Sequence, residues 1–293
     1  MISGVRKIPI GTSAAMAAAS GSPTRRARAG QPRLVDACVF CGDSGPLTQE
    51  HVWPQWLRDE VPDLADLGTQ VMGIVGYPNT WRQRRTKAFS ARPKIVCATC
   101  NNGWMSDLES ASAPILAPMI RGQPVRLDRA AQRLVAFWLA KTVMTARWVH
   151  RDRRFPGIPT DHYVELYQHQ APPGHSQVWV AACSHDDRPS RQLPLGYRYR
   201  MIRLERLQVA TRGGLWLPFR PAYAVALSIG NLAGLVFGHT YDRAVPVLSY
   251  DGTLGMALHD VWPGGDEELA WPSGFCLNYT EFNLLISRLE QWQ

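Results

Sequence analysis

From Asp128 onward the chain alternates between two hydrophobic periods. Val135, Leu139, Val143, Ala146 and Val149 recur at helical spacing, flanked by Leu134, Trp138 and Trp148. A helix capped by Asp128 and running to about His150 would carry large apolar residues on more than one side, so it is predicted to be buried. Lys141 and His150 on it read as peripheral. From Tyr163 to Tyr250 the texture turns strand-like, with β-branched and aromatic runs at Tyr163–Tyr167, Gln177–Cys183, Tyr197–Val209, Ala222–Ile229 and Leu232–Gly238. Turn residues separate them (Pro172-Pro173-Gly174, Gly213-Gly214, Gly230-Asn231). Short spacing with such turns predicts an antiparallel sheet rather than βαβ units. Thr280 caps a closing helix whose stripe is Phe282, Leu285, Ile286, Leu289 and Trp292.

Ahead of this α+β region the pattern is less regular. Residues 113–127 hold Pro114, Pro118, Pro124 and Gly122 and read as a connector. Residues 1–33, rich in Gly, Ser, Pro and Arg, read as a disordered arm. The apolar stretch Ala14–Ala19 after Arg6-Lys7 is too short and too poor in Leu, Ile and Val for a secretion signal. No run reaches the ~18–20 apolar residues of a membrane span. The expected organisation is therefore an arm (1–33), a first module (34–112), a connector (113–127) and an α+β unit (128–293).

Charge alters this picture only locally. Of the net +8, six charges come from the first 33 residues, which contain no acid. Thr80–Lys94 is the other basic stretch, with Arg82, Arg84, Arg85, Lys87, Arg92 and Lys94 and again no acid. Such a run can contact several phosphates, or it can be a solvated loop.

The candidate chemistry lies around that basic run. Cys38-Val-Phe-Cys41 and Cys97-Ala-Thr-Cys100 are two C-x2-C pairs, the spacing that lets four thiolates close tetrahedrally on one Zn²⁺. Between them stands Glu50-His51-Val-Trp-Pro54, and Asn101 follows the last cysteine. A carboxylate, an imidazole and an amide beside a metal-stapled frame are the parts needed to hydrolyse a phosphodiester. Cys183 and Cys276 stand alone in apolar surroundings and read as buried small hydrophobes. The paired spacing argues for a reducing, cytoplasmic setting rather than a disulfide scaffold.

These motifs, over about residues 37–110, resemble the four-cysteine branch of the HNH (ββα-metal) endonucleases. The resemblance implies a structural zinc on Cys38, Cys41, Cys97 and Cys100, with Asn102–Ser110 as the short helix of a ββα unit. Trp104, Met105 and Leu108 would pack that helix onto the hairpin. It implies His51 as general base and Glu50 and Asn101 as ligands of a catalytic Mg²⁺ or similar ion. Glu109, about two helical turns on, is a further candidate ligand. The substrate implied is nucleic acid, most simply DNA, bound through Arg82, Arg84, Arg85, Lys87, Arg92 and Lys94, with no membrane partner.

Two departures shape the expectation. The family places a second, central Asn shortly before the last cysteine pair, where it orients the hairpin bearing the histidine. Here the only Asn between Cys41 and Cys97 is Asn79. The Cys41–Cys97 gap is also long, so an insertion is required. The alternative is a zinc-stapled nucleic-acid-binding or interaction module without catalysis. His162, His169, His175 and His185 fall in loop-like sequence without a carboxylate constellation, and read as exposed loop histidines.

Overall fold

In the computed structural model the described residues are 35–62, 69–74, 77–85, 88–149, 157–184, 196–203, 221–240, 252–265, 267–272 and 274–287. The arm expected for 1–33 lies outside them, as do Lys87, His150 and His185. Residues 34–293 cluster as one unit, a mixed α+β arrangement with antiparallel sheets.

β1 (Leu47–Gln49), α1 (Leu57–Glu60), β2 (Thr69–Ile74), β3 (Tyr77–Arg85) and β4 (Lys94–Cys97) come first. β1 and β4 pair antiparallel, Leu47 opposite Cys97 and Thr48 opposite Val96, with a register shift after Thr48. This pairing carries the second cysteine pair back to the first. β2 and β3 form a separate hairpin between them, with Arg82 opposite Met72 and Arg85 opposite Thr69. That hairpin fills part of the long interval between the two cysteine pairs.

After β4 the backbone turns helical at α2 (Ala98–Cys100), passes a wide turn at Asn101–Met105 that breaks at Gly103, and continues as α3 (Ser106–Ile120). The expected connector is therefore helical over its first half, despite Pro114 and Pro118. Leu108, Ser112, Leu116, Met119 and Ile120 keep one face of α3 buried at helical spacing. Pro114 is exposed and Pro118 only partly buried, so packing of the inner face outweighs the two lost backbone bonds. The stop comes at Gly122, left-handed at φ 69°, where Gln123 N donates to Pro118 O at 2.8 Å and Gly122 N to Met119 O at 3.1 Å.

β5 (Val125–Asp128) leads into α4 (Arg129–Arg147), whose Asp128 cap accepts from Ala131 N as the sequence suggested. Every residue from Val135 to Ala146 is buried, Lys141 included. Lys141 is thus not peripheral. α5 (Thr160–His169) replaces the strand expected at Tyr163–Tyr167. Five residues of mixed character fit either period; His162, Tyr163 and Leu166 face the core from a helix. His162 is accordingly a buried helical residue rather than a loop histidine, whereas His175 is exposed before the next strand.

β6 (Ser176–Cys183), β7 (Gly196–Arg203), β8 (Pro221–Ile229) and β9 (Leu232–His239) follow, then α6 (Gly252–Ala257), β10 (His259–Trp262), β11 (Glu268–Trp271), β12 (Cys276–Leu277) and α7 (Tyr279–Ser287). The main sheet runs β10-β6-β9-β8-β7 with antiparallel neighbours, and β12 joins β6 in parallel. β5 and β11 make a small second pair. The closing helix is capped by Asn278 rather than Thr280. Asn278 Oδ1 accepts from Glu281 N, and Glu281 Oε2 accepts from Asn278 N, a reciprocal capping box. Cys183 is buried as expected, but Cys276 is exposed.

Strand alternation divides the core between the two sheet faces. Val178, Val180, Tyr223, Val225, Leu227 and Val236 pack with α4 and with the cysteine-bearing module. Trp179, Ala181, Ala224, Ala226, Leu235 and Phe237 pack under α6 and α7. Both faces are covered, which is why these strands read as continuous apolar runs. Gly234 lets α4 approach, because a Cβ there would sit 2.7 Å from Leu139 Cδ2. At the β8–β9 turn, Gly230 has φ 50° and Asn231 N donates to Ile120 O at 2.8 Å. The end of α3 is thereby tied to the sheet. Phe40, between Cys38 and Cys41, packs against Trp104 at 5.2 Å and Tyr163 of α5 at 5.5 Å between ring centroids, joining the cysteine-bearing segment to α5. No helix among the described residues is long and apolar enough to cross a membrane.

Candidate functional site

The β1–β4 pairing sets Cys38, Cys41, Cys97 and Cys100 so that their four Sγ atoms lie within 4.8 Å of one another. Cys41 and Cys97 Sγ approach to 3.6 Å, and Cys100 N points at Cys97 Sγ at 3.4 Å. Tetrahedral zinc with bonds of ~2.3 Å requires sulfur–sulfur separations of about 3.8 Å, so the cluster fits the ion. All four are free thiols. Burial pushes the Cys41 and Cys100 thiols up, so four thiolates could share this space only around a cation.

From the end of β1 the chain stays extended and bonded to the stretch before β4: Glu50 N donates to Pro93 O at 3.0 Å and Val52 N to Ala91 O at 3.1 Å. Neighbouring residues on an extended segment point to opposite sides. Glu50 is buried and His51 is half-buried. Both nevertheless border one cleft of about 280 Å³ with Asn101 and Glu109, and Gln55 and Ser106 complete much of its wall.

Asn101 is held by its nitrogen. Nδ2 donates to Thr48 Oγ1 at 2.9 Å and to Gln49 O at 3.2 Å. The amide after the last cysteine therefore fastens the end of β1, the strand that leads into Glu50 and His51. Its Oδ1 is the atom available to a metal ion.

The sequence missed Lys141. Its Nζ donates to Glu50 Oε1 at 3.0 Å and to Glu109 Oε1 at 2.7 Å, with the lysine side chain fully buried and Glu109 partly exposed. Burial works against the ammonium, but Glu50 and Glu109 together hold its pKa above the ordinary lysine value. Burial also raises the Glu50 carboxyl, with Lys141 opposing and Glu109 adding to the rise. Two carboxylates thus share one ammonium. The only sequence signal was a charged residue inside an otherwise apolar helix, which demands a partner without naming it.

His51 Nε2 lies 3.4 Å from Gln55 Nε2; an amide nitrogen can only donate, so this contact pairs with the Nδ1–H tautomer. Burial and then the Arg92 charge hold the imidazole below its ordinary value, with Glu109 opposing. Arg92 and Lys94 are exposed. Arg82, Arg84 and Arg85 lie on β3, and their side chains, like all of Lys87, are outside the described residues.

The donor set suits a hard divalent cation: two carboxylates and an amide oxygen beside an imidazole, around one open cleft. Comparison with protein-family models, with curated proteins and with solved structures gave no match to the chain.

Proposed function

We propose that the chain is a metal-dependent endonuclease of the HNH type, hydrolysing phosphodiester bonds of nucleic acid, DNA in the first instance. What carries this reading is a single juxtaposition. Glu50, His51, Asn101 and Glu109 border one cleft, and the residue next to Asn101 belongs to a four-thiol cluster able to hold zinc. The zinc serves as a staple, since four thiolates leave no open coordination position.

Glu50, Glu109 and Asn101 Oδ1 would hold Mg²⁺ or a similar ion. When bound, that ion supplies positive charge against the charge developing on the phosphate oxygens. His51 Nε2 exchanges its long contact with Gln55 for the attacking water and takes a proton from it, and its depressed pKa keeps the ring unprotonated near neutrality. The hydroxide so formed attacks phosphorus as the P–O bond to the leaving oxygen breaks; the leaving oxygen takes a proton from solvent water, and His51 returns its own proton to solvent. Asn101 Nδ2 keeps the β1 segment, and with it His51, at a fixed distance from the helix. Arg92 and Lys94, with Arg82, Arg84, Arg85 and Lys87 from the inserted stretch, supply phosphate contacts whose strength falls with salt.

The test is Mg²⁺-dependent nicking of supercoiled plasmid, lost on His51→Ala. A second reading, a zinc-stapled binding module without catalysis, is favoured by one observation: the Glu50 carboxylate already holds the Lys141 ammonium. DNA retention by the wild type without metal-dependent nicking would decide for it.

A further inference from the structure

We propose that Lys141 is a positioning residue of the cleft, an internal cation that holds Glu50 and Glu109 as one paired-carboxylate face toward a divalent ion. The inference rests on the metal-dependent reading above. It makes α4, which lies beyond the cysteine-bearing module in sequence, a working part of the site.

Three separate segments meet at this point. Glu50 comes from the end of β1, Glu109 from α3 and Lys141 from the buried middle of α4. A lysine sealed at 0% exposure is costly unless its charge is met. One carboxylate would suffice for a neutral structural pair. Here there are two, and both border the open cleft while the ammonium does not. The ammonium engages Oε1 of each, at 3.0 and 2.7 Å, which leaves each carboxylate a second oxygen.

Two carboxylates close enough to share one ammonium repel each other strongly in a partly buried setting. Without a cation between them they separate. Lys141 prevents this, so the pair is already assembled before any metal arrives. The second oxygens of the pair then take the divalent ion, while the fixed lysine limits how far the pair collapses onto it. Asn101, tied to Thr48 by its nitrogen, holds the remaining oxygen donor in register.

The experiment uses the full zinc-loaded chain with Mn²⁺ as probe. Binding is read by the loss of the free Mn²⁺ electron-paramagnetic-resonance signal and stability by thermal unfolding. The wild type should bind one Mn²⁺ per chain. Glu109→Gln leaves Lys141 paired with Glu50 alone, and should unfold near the wild-type temperature while losing Mn²⁺ affinity at least tenfold. Lys141→Met should be markedly less stable without Mn²⁺, and saturating Mn²⁺ should raise its unfolding temperature by more than it raises that of the wild type, because the divalent ion replaces the missing charge. If the variant is recovered only when Mn²⁺ is present during refolding, that is the same result. A Lys141→Met protein that folds in neither condition, or responds to Mn²⁺ no more than wild type, overturns the proposal. So does undiminished Mn²⁺ binding by Glu109→Gln. Mn²⁺ responses as expected without plasmid nicking would sink the nuclease reading and leave this one standing.

Discussion

Asn101 Nδ2 donates to Thr48 Oγ1 at 2.9 Å, joining the first residue after the four-cysteine cluster to the strand that leads into Glu50 and His51. Residues on either side of the β2–β3 hairpin are thus locked together by a side chain whose oxygen has no hydrogen-bond partner among the described residues. A single asparagine can therefore position the hairpin and offer a ligand atom.

Asn101→Ala removes both bonds made by Nδ2 and should cost about 1–2 kcal/mol. Chemical denaturation measures that loss. Asn101→Asp retains an oxygen but not the donors, so it should lose the same positioning while shifting the Mg²⁺ requirement less than Ala does. Equal Mg²⁺ requirements for the two variants would assign Asn101 to positioning alone.

His51→Ala should reduce plasmid nicking by roughly 10²- to 10⁴-fold, the usual loss for a general base. Zinc content, unfolding temperature and DNA affinity should stay close to wild type, since the ring is half-buried and its hydrogen-bond contact among the described residues is the long one to Gln55. Cleavage at the wild-type rate would remove His51 from the chemistry.

Elemental analysis should give one zinc per chain, and Cys100→Ser should lose it. Because such a site contributes folding energy outright, a strong chelator should lower the unfolding temperature of the wild type by about 10 °C or more, even on the ~2–4 °C per kcal/mol scale of a large domain. A fully folded, zinc-free wild type would contradict the assignment.

Stability should fall in acid through a second cluster. His162 Nδ1 meets Tyr223 OH at 3.0 Å in the core, and burial holds the His162 imidazole below its ordinary value. His239 is pushed down to about 4 by burial and then by the neighbouring His175 and His162 charges. A histidine depressed on folding stabilises fully above its unfolded value of about 6.5. That stability is lost as pH falls through the folded value, because the unfolded chain then binds a proton that the folded one refuses. Urea unfolding should therefore show stability declining between pH 6.5 and about 4, with a shallower decline in His239→Gln. An unchanged slope in that variant would place the acid sensitivity elsewhere.

Gly230→Ala should destabilise by more than about 1 kcal/mol, because the residue sits at positive φ and is not free to change. Its new Cβ would fall 2.4 Å from Ile120 O, disturbing the turn that ties α3 to the sheet. Thermal unfolding checks this directly.

Much of this protein was legible in its sequence. The Asp128 cap and apolar period of α4, the runs of β6, β8 and β9, and the Gly230-Asn231 turn are local signals, and local signals survive folding. The two C-x2-C pairs fixed the candidate zinc ligands because metal spacing is itself a local constraint. Where two local rules competed, only packing could decide. α3 runs through two prolines because Leu116, Met119 and Ile120 are needed in the core. Tyr163–Tyr167 is helical because the burial of His162, Tyr163 and Leu166 requires the longer period. Lys141 lay beyond any sequence argument. Its partners stand 91 and 32 residues away, and the charge pattern of one helix carries no information about which carboxylates other segments will bring to it.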